Sequence, residues 1–222
     1  MTIMDGGVYV LTGVHADGNV IVSGGTIDIV SSDDGLSAAG GADQSGFGGR
    51  GPDRFGGSSD CCITISGGTI RINASGDGID SNGDLNVSGG EIYVSGPTSD
   101  SNSALDYDST ATVTGGTVVA AGYSGMAQNF GANSTQGSIL LTCQSASTET
   151  IRVTDASGNV LAEFTPAKAY TCVVVSTPAL TQGSTCTVTM GGQSTNVTLE
   201  SLIYGSGGMG GGMGGQPGGG MG

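Results

Sequence analysis

Aspartate residues recur at fixed places in a series of similar segments in the first half of the chain. Asp77 and Asp80 lie on either side of a glycine in SGDGIDSNGD, which contains no lysine or arginine. Asp34 precedes a glycine in the same way in SSDDGLSAAGG, and Asp106 occupies the place of Asp80 in SALDYD. Such carboxylates either shape turns, by accepting hydrogen bonds from the local backbone, or hold a positive ion.

Five segments align on a small residue that we call the corner residue. The corner residues are Gly13, Gly35, Gly78, Ala104 and Gly125. One place before them stand Thr12, Asp34, Asp77, Ser103 and Ser124. Two places after them stand His15, Ser37, Asp80, Asp106 and Ala127, and four places after them Asp17, Ala39, Asn82, Asp108 and Asn129. If successive segments stack, Asp34 lies over Asp77, and Asp80 lies over Asp106.

A Gly-Gly pair lies between successive corners and divides two short runs of alternating apolar residues. The second glycines of the pairs are Gly7, Gly25, Gly68, Gly90 and Gly116. The run after each pair gives two apolar rows: Tyr9, Ile27, Ile70, Ile92 and Val118, then Leu11, Ile29, Ile72, Val94 and Ala120. The run before each pair gives Val20, Ile63, Leu85 and Ala111, then Val22, Ile65, Val87 and Val113. Period-two alternation predicts strands whose apolar rows face inward.

A repeat of this length cannot bury its own apolar face, so neighbouring repeats must cover it. We therefore expect an all-β chain whose residues 1–136 form a parallel β-helix, a solenoid with coils about 4.8 Å apart. A Gly-rich insertion at 43–60 would project from the second coil. Hairpin spacing after residue 136 predicts a small antiparallel β module over 137–204, followed by a flexible Gly/Met-rich tail at 205–222.

The start of the chain shows no signal peptide, and its first repeat begins almost at once. An uncapped coil would expose a sheet edge, so we expect upstream coils to be missing from this chain.

The balance of charge excludes some classes of partner. The chain carries 19 acidic and five basic residues, for a formal net charge of −14, which argues against nucleic acid because phosphate binding needs lysine and arginine. No apolar stretch is long enough to span a membrane.

The five cysteines lack metal-type spacing and are expected to be small core residues, with a Cys172–Cys186 bond as the alternative.

Stacked carboxylates predict a calcium site. Two carboxylates about 5 Å apart repel by roughly 3 kcal/mol at an effective dielectric constant of about 20. Calcium relieves this repulsion and accepts six to eight oxygen ligands in irregular geometry. We expect Asp34, Asp77, Asp80 and Asp106 to form the site, with Asp33 and Asp108 as neighbours, whereas Asp84 begins the next strand and is expected to be a turn residue. A turn-shaping role alone remains the alternative for each of them, since no calcium-loop motif is present.

Aromatic and basic residues offer candidate contacts to a sugar. The outward row contains Asp28, Arg71 and Tyr93, and Tyr107 and Tyr123 lie near the acidic corners. We take Arg71, Tyr93, Tyr107 and Tyr123 as candidate carbohydrate-binding residues, with ordinary surface packing as the alternative.

The ordered series of motifs resembles one family. The motifs are SDDGLSAAGG, SGGTIRINASGDGIDSNGDLNVSGGEIYVSGP, SALDYD, TGGT, SGMAQ and KAYTCVVVSTPAL with the Gly/Met-rich tail. They resemble secreted bacterial carbohydrate-binding proteins, which are right-handed parallel β-helices remotely similar to pectate lyases. The resemblance implies right-handedness, calcium at the Asp corners, and binding to acidic polysaccharides such as polygalacturonate (pectin), and also to cellulose. It implies an extracellular or cell-surface location. The segment GVHADGN departs from the family, because it lacks the Asp pair before the corner.

We expect a binding module that is not an enzyme. A calcium-dependent polysaccharide lyase is the alternative, but β-elimination needs a base, and Arg71 is the only basic residue of the coils outside the insertion. A glycosidase would need a carboxylate pair at a defined separation, which the Asp column could mimic. A structural surface stalk or adhesin is the third possibility.

Overall fold

The computed structural model describes the backbone of residues 2–3 and 7–10, and residues 13–40 and 61–205 in full. The predicted insertion at 43–60 and all but the first residue of the predicted tail at 205–222 lie outside the described residues. The described residues are all-β, with parallel and antiparallel sheets. The strands are β1 Thr2–Ile3, β2 Gly7–Val10, β3 Val14–Ala16, β4 Val20–Ser31, β5 Leu36–Ala38, β6 Cys62–Ala74, β7 Ile79–Ser81, β8 Asp84–Ser95, β9 Leu105–Tyr107, β10 Ala111–Gly122, β11 Ser138–Ser147, β12 Ile151–Asp155, β13 Val160–Phe164, β14 Tyr170–Ser176, β15 Thr185–Met190, β16 Gln193–Thr198 and β17 Ile203–Tyr204. None of the described residues forms a helix with the length and hydropathy of a membrane span.

The four long strands β4, β6, β8 and β10 lie side by side and run parallel. Their register confirms the apolar rows expected for these strands. One row aligns Ile27, Ile70, Ile92 and Val118, and another aligns Val20, Ile63, Leu85 and Ala111. All eight side chains are at most 1% exposed, so the rows form the interior that the alternation predicts.

The short strands β3, β5, β7 and β9 form a second parallel sheet that contains the corners. Its inward row aligns Val14, Leu36, Ile79 and Leu105, and these side chains belong to the same core cluster as the rows of the long strands. The core therefore lies between the two parallel sheets. Each repeat contributes one long strand and one corner strand to it.

The predicted register of the first repeat is wrong by one residue. The Cα partner of Ile27 is Val8 rather than Tyr9, and the partner of Ile29 is Val10 rather than Leu11. In a strand, a slip of one residue exchanges the two faces. The observed register aligns β-branched valines with the isoleucine row, whereas counting from the Gly-Gly pair had aligned tyrosine and leucine.

Each long strand bends at its Gly-Gly pair, where the parallel register shifts. The second glycine of each pair has a positive φ: Gly25 82°, Gly68 93°, Gly90 89° and Gly116 85°. A Cβ atom at Gly68 would lie 2.8 Å from the carbonyl oxygen of Gly25 on the preceding repeat. Glycine at this position thus satisfies two requirements, a left-handed backbone and close contact between repeats.

The C-terminal strands extend the long sheet and add a second sheet to it. Strand β14 pairs antiparallel with β10, and β11 pairs antiparallel with β14. Strands β13, β12, β15 and β16 form a separate antiparallel sheet in that order. A second core joins this sheet to the outer face of β10 and β14, through Val119, Val173 and Val188 among others. The outward residue Val119 is therefore fully buried.

The five cysteines are free thiols. Cys172 lies in the core between the parallel sheets, whereas Cys186 lies in the second core. The two residues belong to different sheets. Cys61, Cys172 and Cys186 are buried, as expected for small core residues, whereas Cys62 and Cys143 are only half-buried.

Replacing Gly68 by alanine is expected to lower the free energy of unfolding by roughly 2–5 kcal/mol, because a left-handed φ costs an L-residue about 1–2 kcal/mol and overpacking adds about 1–3 kcal/mol. Gly158→Ala is the matched control, since Gly158 has a φ of 85° but no atom lies within 4 Å of the position that its Cβ would take. The control should lose only the conformational part, about 1–2 kcal/mol. Urea denaturation measures both losses, and equal losses would show that contact between repeats does not constrain Gly68.

Candidate metal site at the carboxylate column

Four carboxylates lie in register along the corners of three successive repeats, and we call them the carboxylate column: Asp34, Asp77, Asp80 and Asp106. Asp80 and Asp106 are Cα partners on β7 and β9. Asp34 and Asp77 each lie two residues before a corner strand. The stacking expected from the sequence is confirmed for both pairs.

The first row of the column is held by hydrogen bonds from the backbone of the following repeat. The N–H of Asp77 donates to Oδ1 of Asp34 at 2.7 Å. The N–H of Ser103 donates in the same way to Oδ1 of Asp77. Aspartate before the corner therefore has a structural task, because it satisfies a backbone donor on the next repeat. The turn-shaping role and the stacking are parts of one arrangement.

The second row runs along the corner strands and is bonded by side chains. The hydroxyl of Ser37 donates to Oδ2 of Asp80 at 3.2 Å. Nε2 of Gln128 donates to Oδ1 of Asp106 at 2.8 Å. By register the row reads His15, Ser37, Asp80 and Asp106. The neutral donors Ser37 and Gln128 therefore flank the two carboxylates on either side.

Burial and mutual repulsion raise the pKa of the two central carboxyl groups. Burial is the main cause for Asp77, whose pKa rises to about 8, and the Ser103 N–H opposes the rise. The carboxylates of Asp106, Asp34 and Asp80 raise the pKa of Asp77 further. Burial also raises the pKa of Asp80 to about 7, with Asp34 and Asp106 adding to it and the Ser37 hydroxyl opposing it. The column is thus one electrostatic unit in which negative charge is costly.

The basic side chains of the described residues lie elsewhere. Arg71 lies over a tyrosine ring, Arg152 pairs with Glu163 on the second sheet, and Lys168 donates to a backbone carbonyl. None of them contributes to the pKa of Asp77 or Asp80. Within residues 13–40 and 61–205, no lysine or arginine therefore balances the two central carboxylates, Asp77 and Asp80.

The column offers only oxygen ligands, which suits a hard divalent cation. Among the described residues, no three His, Cys, Asp or Glu side chains converge as the ligands of one ion. The carboxylates are instead spread along the stacking direction, and two of them are held by backbone N–H groups. Oε1 of Gln128 is buried and has no hydrogen-bond donor within the described part of the chain. This oxygen, beside Asp106, is a further candidate ligand.

The two neighbours proposed from the sequence lie at the rim. Asp33 and Asp108 are both exposed. The carbonyl of Asp33 accepts the N–H of Gly76 at 3.1 Å, and the N–H of Asp108 donates to Ser81 at 3.0 Å. Asp108 is close enough to add to the raised pKa of Asp80. It therefore belongs to the same electrostatic environment, although it is more exposed than the column.

The tyrosines proposed as sugar contacts are engaged with the protein. The hydroxyl of Tyr107 donates to the carbonyl of Asn129 at 2.5 Å, and its ring packs against the core. The ring centroid of Tyr93 lies 5.2 Å from that of Phe164, and the Arg71 guanidinium lies 5.7 Å from it. Tyr123 is half-buried and lines a small void that Gln128 also lines. All three tyrosines are half-buried, and Tyr107 differs in that its hydroxyl is bonded to the backbone and its ring packs on the core.

The sequence alignment missed Gln128. It placed Ala127 next in the row after Asp106, but the Ala127 side chain is buried in the core, and the neighbouring amide reaches the carboxylate. No corner strand forms in this repeat, so counting from the corner glycine loses its meaning there. The amide residue Gln128 directly follows Ala127 in the sequence, and this position was the signal from which the contact with Asp106 could have been predicted.

Comparison of the chain with protein-family models, with curated proteins and with solved structures finds no match.

The raised pKa values predict that the metal-free protein loses stability as the pH rises. The folded protein holds a proton on Asp77 up to about pH 8, whereas the unfolded chain releases it near pH 3.8. Between these values the folded state binds more protons, so the free energy of unfolding falls with increasing pH. Asp80 adds to this loss up to about pH 7.

The variants Asp77→Asn and Asp80→Asn should therefore show a flatter pH dependence than the unchanged protein. Thermal unfolding followed by calorimetry, in a chelator and at several pH values between about 4 and about 8, measures the difference. Asp155→Asn serves as control, because hydrogen bonds to Asn159 lower the pKa of Asp155 and give its contribution the opposite sign. A pH dependence that the column variants leave unchanged would refute the raised pKa values.

Proposed function

We propose that the chain is a right-handed parallel β-helix that binds acidic polysaccharide through calcium held at the carboxylate column. The proposed setting is extracellular or at a bacterial cell surface, and the proposed glycans are polygalacturonate and other acidic plant cell-wall polysaccharides, with cellulose as a further ligand. The motifs that resemble secreted carbohydrate-binding proteins support this proposal. The single observation that carries it is the stacking of half-buried carboxylates on successive repeats, where burial and mutual repulsion raise the pKa of Asp77 and Asp80.

The parallel pairing of the repeats supports the solenoid. Like strands of successive repeats are neighbours in both parallel sheets, and one core lies between the sheets. Connections that join parallel strands of one sheet are right-handed in about 98% of cases. Right-handed winding of the repeats is therefore the geometry that this general rule favours.

The donor set of the column fits calcium. Asp80 and Asp106 together offer up to four carboxylate oxygens, and Oε1 of Gln128 adds a buried oxygen that lacks a donor among the described residues. Calcium takes the remainder of its six to eight ligands from backbone carbonyls and water. The raised pKa values mean that ionising the column costs free energy, and a bound cation offsets that cost. We therefore assign the principal ligand roles to Asp80 and Asp106.

Asp34 and Asp77 act mainly by positioning the column. Each uses one carboxylate oxygen to hold the backbone of the next repeat. Bound calcium would supply open coordination positions that accept carboxylate and hydroxyl oxygens of a glycan. The exposed Asp33 and Asp108 lie at the rim, where a glycan would approach the column.

Calcium titration tests the metal part of the proposal. Calcium at about 100 times its dissociation constant should raise the free energy of unfolding by about 2.7 kcal/mol at neutral pH, and a chelator should reverse the gain. Asp80→Asn and Asp106→Asn should weaken calcium binding by at least about tenfold, since each removes a charged ligand. Glu200→Gln removes the same charge from an exposed site outside the repeats and should leave calcium binding unchanged. A calcium affinity that both column variants retain would contradict the assignment.

Polygalacturonate binding with and without the chelator tests the glycan part. Polygalacturonate binding that the chelator weakens, with no unsaturated product released, is the expected result. Release of unsaturated uronide would show a lyase instead. Calcium-independent stability without glycan binding would leave a structural role at the cell surface.

A further inference from the structure

The antiparallel sheet of β13, β12, β15 and β16 covers only part of the outer face of the long parallel sheet, and its edge forms a step on that face. The outward-facing row that contains Ser95 shows where this covering ends. Ala121 on β10 is fully buried and Ser95 on β8 is 3% exposed, whereas Asn73 on β6 is half-buried and Val30 on β4 is 39% exposed. The cover therefore extends over β10 and β8 and stops near β6.

The wall of this step is the end of β13 together with the segment that follows it. Phe164 packs on Tyr93. The N–H of Ala167 donates to Oγ of Ser95 at 2.9 Å. Nζ of Lys168 donates to the carbonyl of residue 74 at 2.5 Å and to the hydroxyl of residue 75 at 3.0 Å. These contacts fix the segment 164–168 against β6 and β8. The uncovered face of β6 at Arg71 and Asn73 forms the floor beside this wall. We call the groove between the wall and this floor the ledge groove.

The ledge groove has one basic side chain on its floor and one on its wall, in a strongly acidic protein. Arg71 is exposed, and within the described residues its guanidinium has a ring contact with Tyr93 but no hydrogen bond or ion pair. Asp28 is its Cα partner on the neighbouring strand, but the guanidinium lies over the ring of Tyr93, its partner on the other side. Lys168 uses two of its three N–H donors on the protein and keeps one for a ligand. The wall and the floor therefore each present a donor for an anion.

Asn73 separates the two basic residues along the floor. It lies two residues after Arg71 on the same face of β6, roughly 6.6 Å along the strand. Residue 74, which follows it, accepts from Nζ of Lys168. The two donors are therefore spaced along the strand, so a glycan chain lying along β6 would meet both.

We propose that the ledge groove binds uronic acid residues of a glycan, with Arg71 pairing with a uronate carboxylate and Lys168 donating to a further oxygen of the same glycan. The glycan class rests on the proposed function, but the site and its independence of calcium do not. Arginine binds carboxylates in bidentate fashion, and this binding is lost when the carboxyl group is a methyl ester. The groove would therefore make the protein selective for free uronate over esterified uronate.

Titration of the full chain with trigalacturonate and with its methyl ester, both in a chelator, tests this inference. The chelator removes any contribution of the carboxylate column. Free trigalacturonate should bind more tightly than the ester and should shift the amide resonances of Arg71, Ser95 and Ala167. Arg71→Gln should weaken binding of the free acid by at least about tenfold and leave binding of the ester unchanged, because a hydrogen bond to a charged group is lost.

Arg152→Gln is the matched control. It removes the same charge, but Arg152 is already paired with Glu163 on the second sheet, so binding should change by less than about twofold. Arg71 is exposed, and its replacement should not disturb folding.

The outcomes separate this inference from the proposed function. Binding that appears only with calcium and shifts resonances of the corner strands alone would overturn the ledge groove and leave the calcium proposal standing. Groove binding that calcium does not change would support the ledge groove and count against the calcium proposal. Equal affinity for acid and ester, or an Arg71→Gln variant that binds like the unchanged protein, would also overturn the ledge groove. Absence of binding under both conditions would overturn both.

Discussion

The parallel register between successive repeats is the constraint on which the rest of this structure depends. Parallel strands in register place like positions of neighbouring repeats next to each other, about 4.8 Å apart. A residue type that recurs once per repeat therefore becomes a continuous row. Isoleucines such as Ile27, Ile70 and Ile92 become a buried core, and second glycines such as Gly68 become a line of close backbone contacts. Aspartates become a carboxylate column by the same geometry.

Register alone does not make a carboxylate costly to ionise, since burial and hydrogen bonding decide this. Asp84 lies in the same repeat as Asp80, but its Oδ1 accepts both the N–H and the hydroxyl of Thr110, which lowers its pKa. Asp80 is desolvated and lies next to other carboxylates, and its pKa is raised. Asp84 was expected to be a turn residue, but it begins β8 and its carboxylate bonds the next repeat instead of a local turn. The pKa of Asp80 is thus raised and that of Asp84 is lowered, although the two aspartates are only four positions apart, because their surroundings differ.

The sequence predicts those features that period-two alternation and repeat spacing determine. The apolar rows of β4, β6, β8 and β10 and the stacking of Asp80 on Asp106 follow from counting, because both depend only on the local repeat. Counting fails where the repeat loses its regular elements. Near the start of the chain it misplaced the register by one residue, and beyond β9 it selected Ala127 where Gln128 reaches the carboxylate.

Contacts between distant segments cannot be predicted from the spacing of the repeats. Lys168 lies 94 residues after the carbonyl to which it donates, and the packing of the second sheet buries Val119 although the alternation directs it outward. Tertiary packing therefore decided which outward residues remained available to a ligand.

The carboxylate column and the ledge groove are joined through a short stretch of one strand and its turn. Lys168 holds the carbonyl and the hydroxyl of residues 74 and 75, and Asp77 follows two residues later. A segment that carries a positive charge therefore fixes the backbone that leads directly into the negative column. Lys168 is partly desolvated, which lowers its pKa, so its charge is held at some cost in the groove. An anionic polymer lying along the repeats would meet this basic side chain before the corner, where the carboxylates repel it unless a cation intervenes. Under the proposals made above, the arrangement of charge would give the two sites different requirements for the same ligand, direct pairing at the ledge groove and metal bridging at the column.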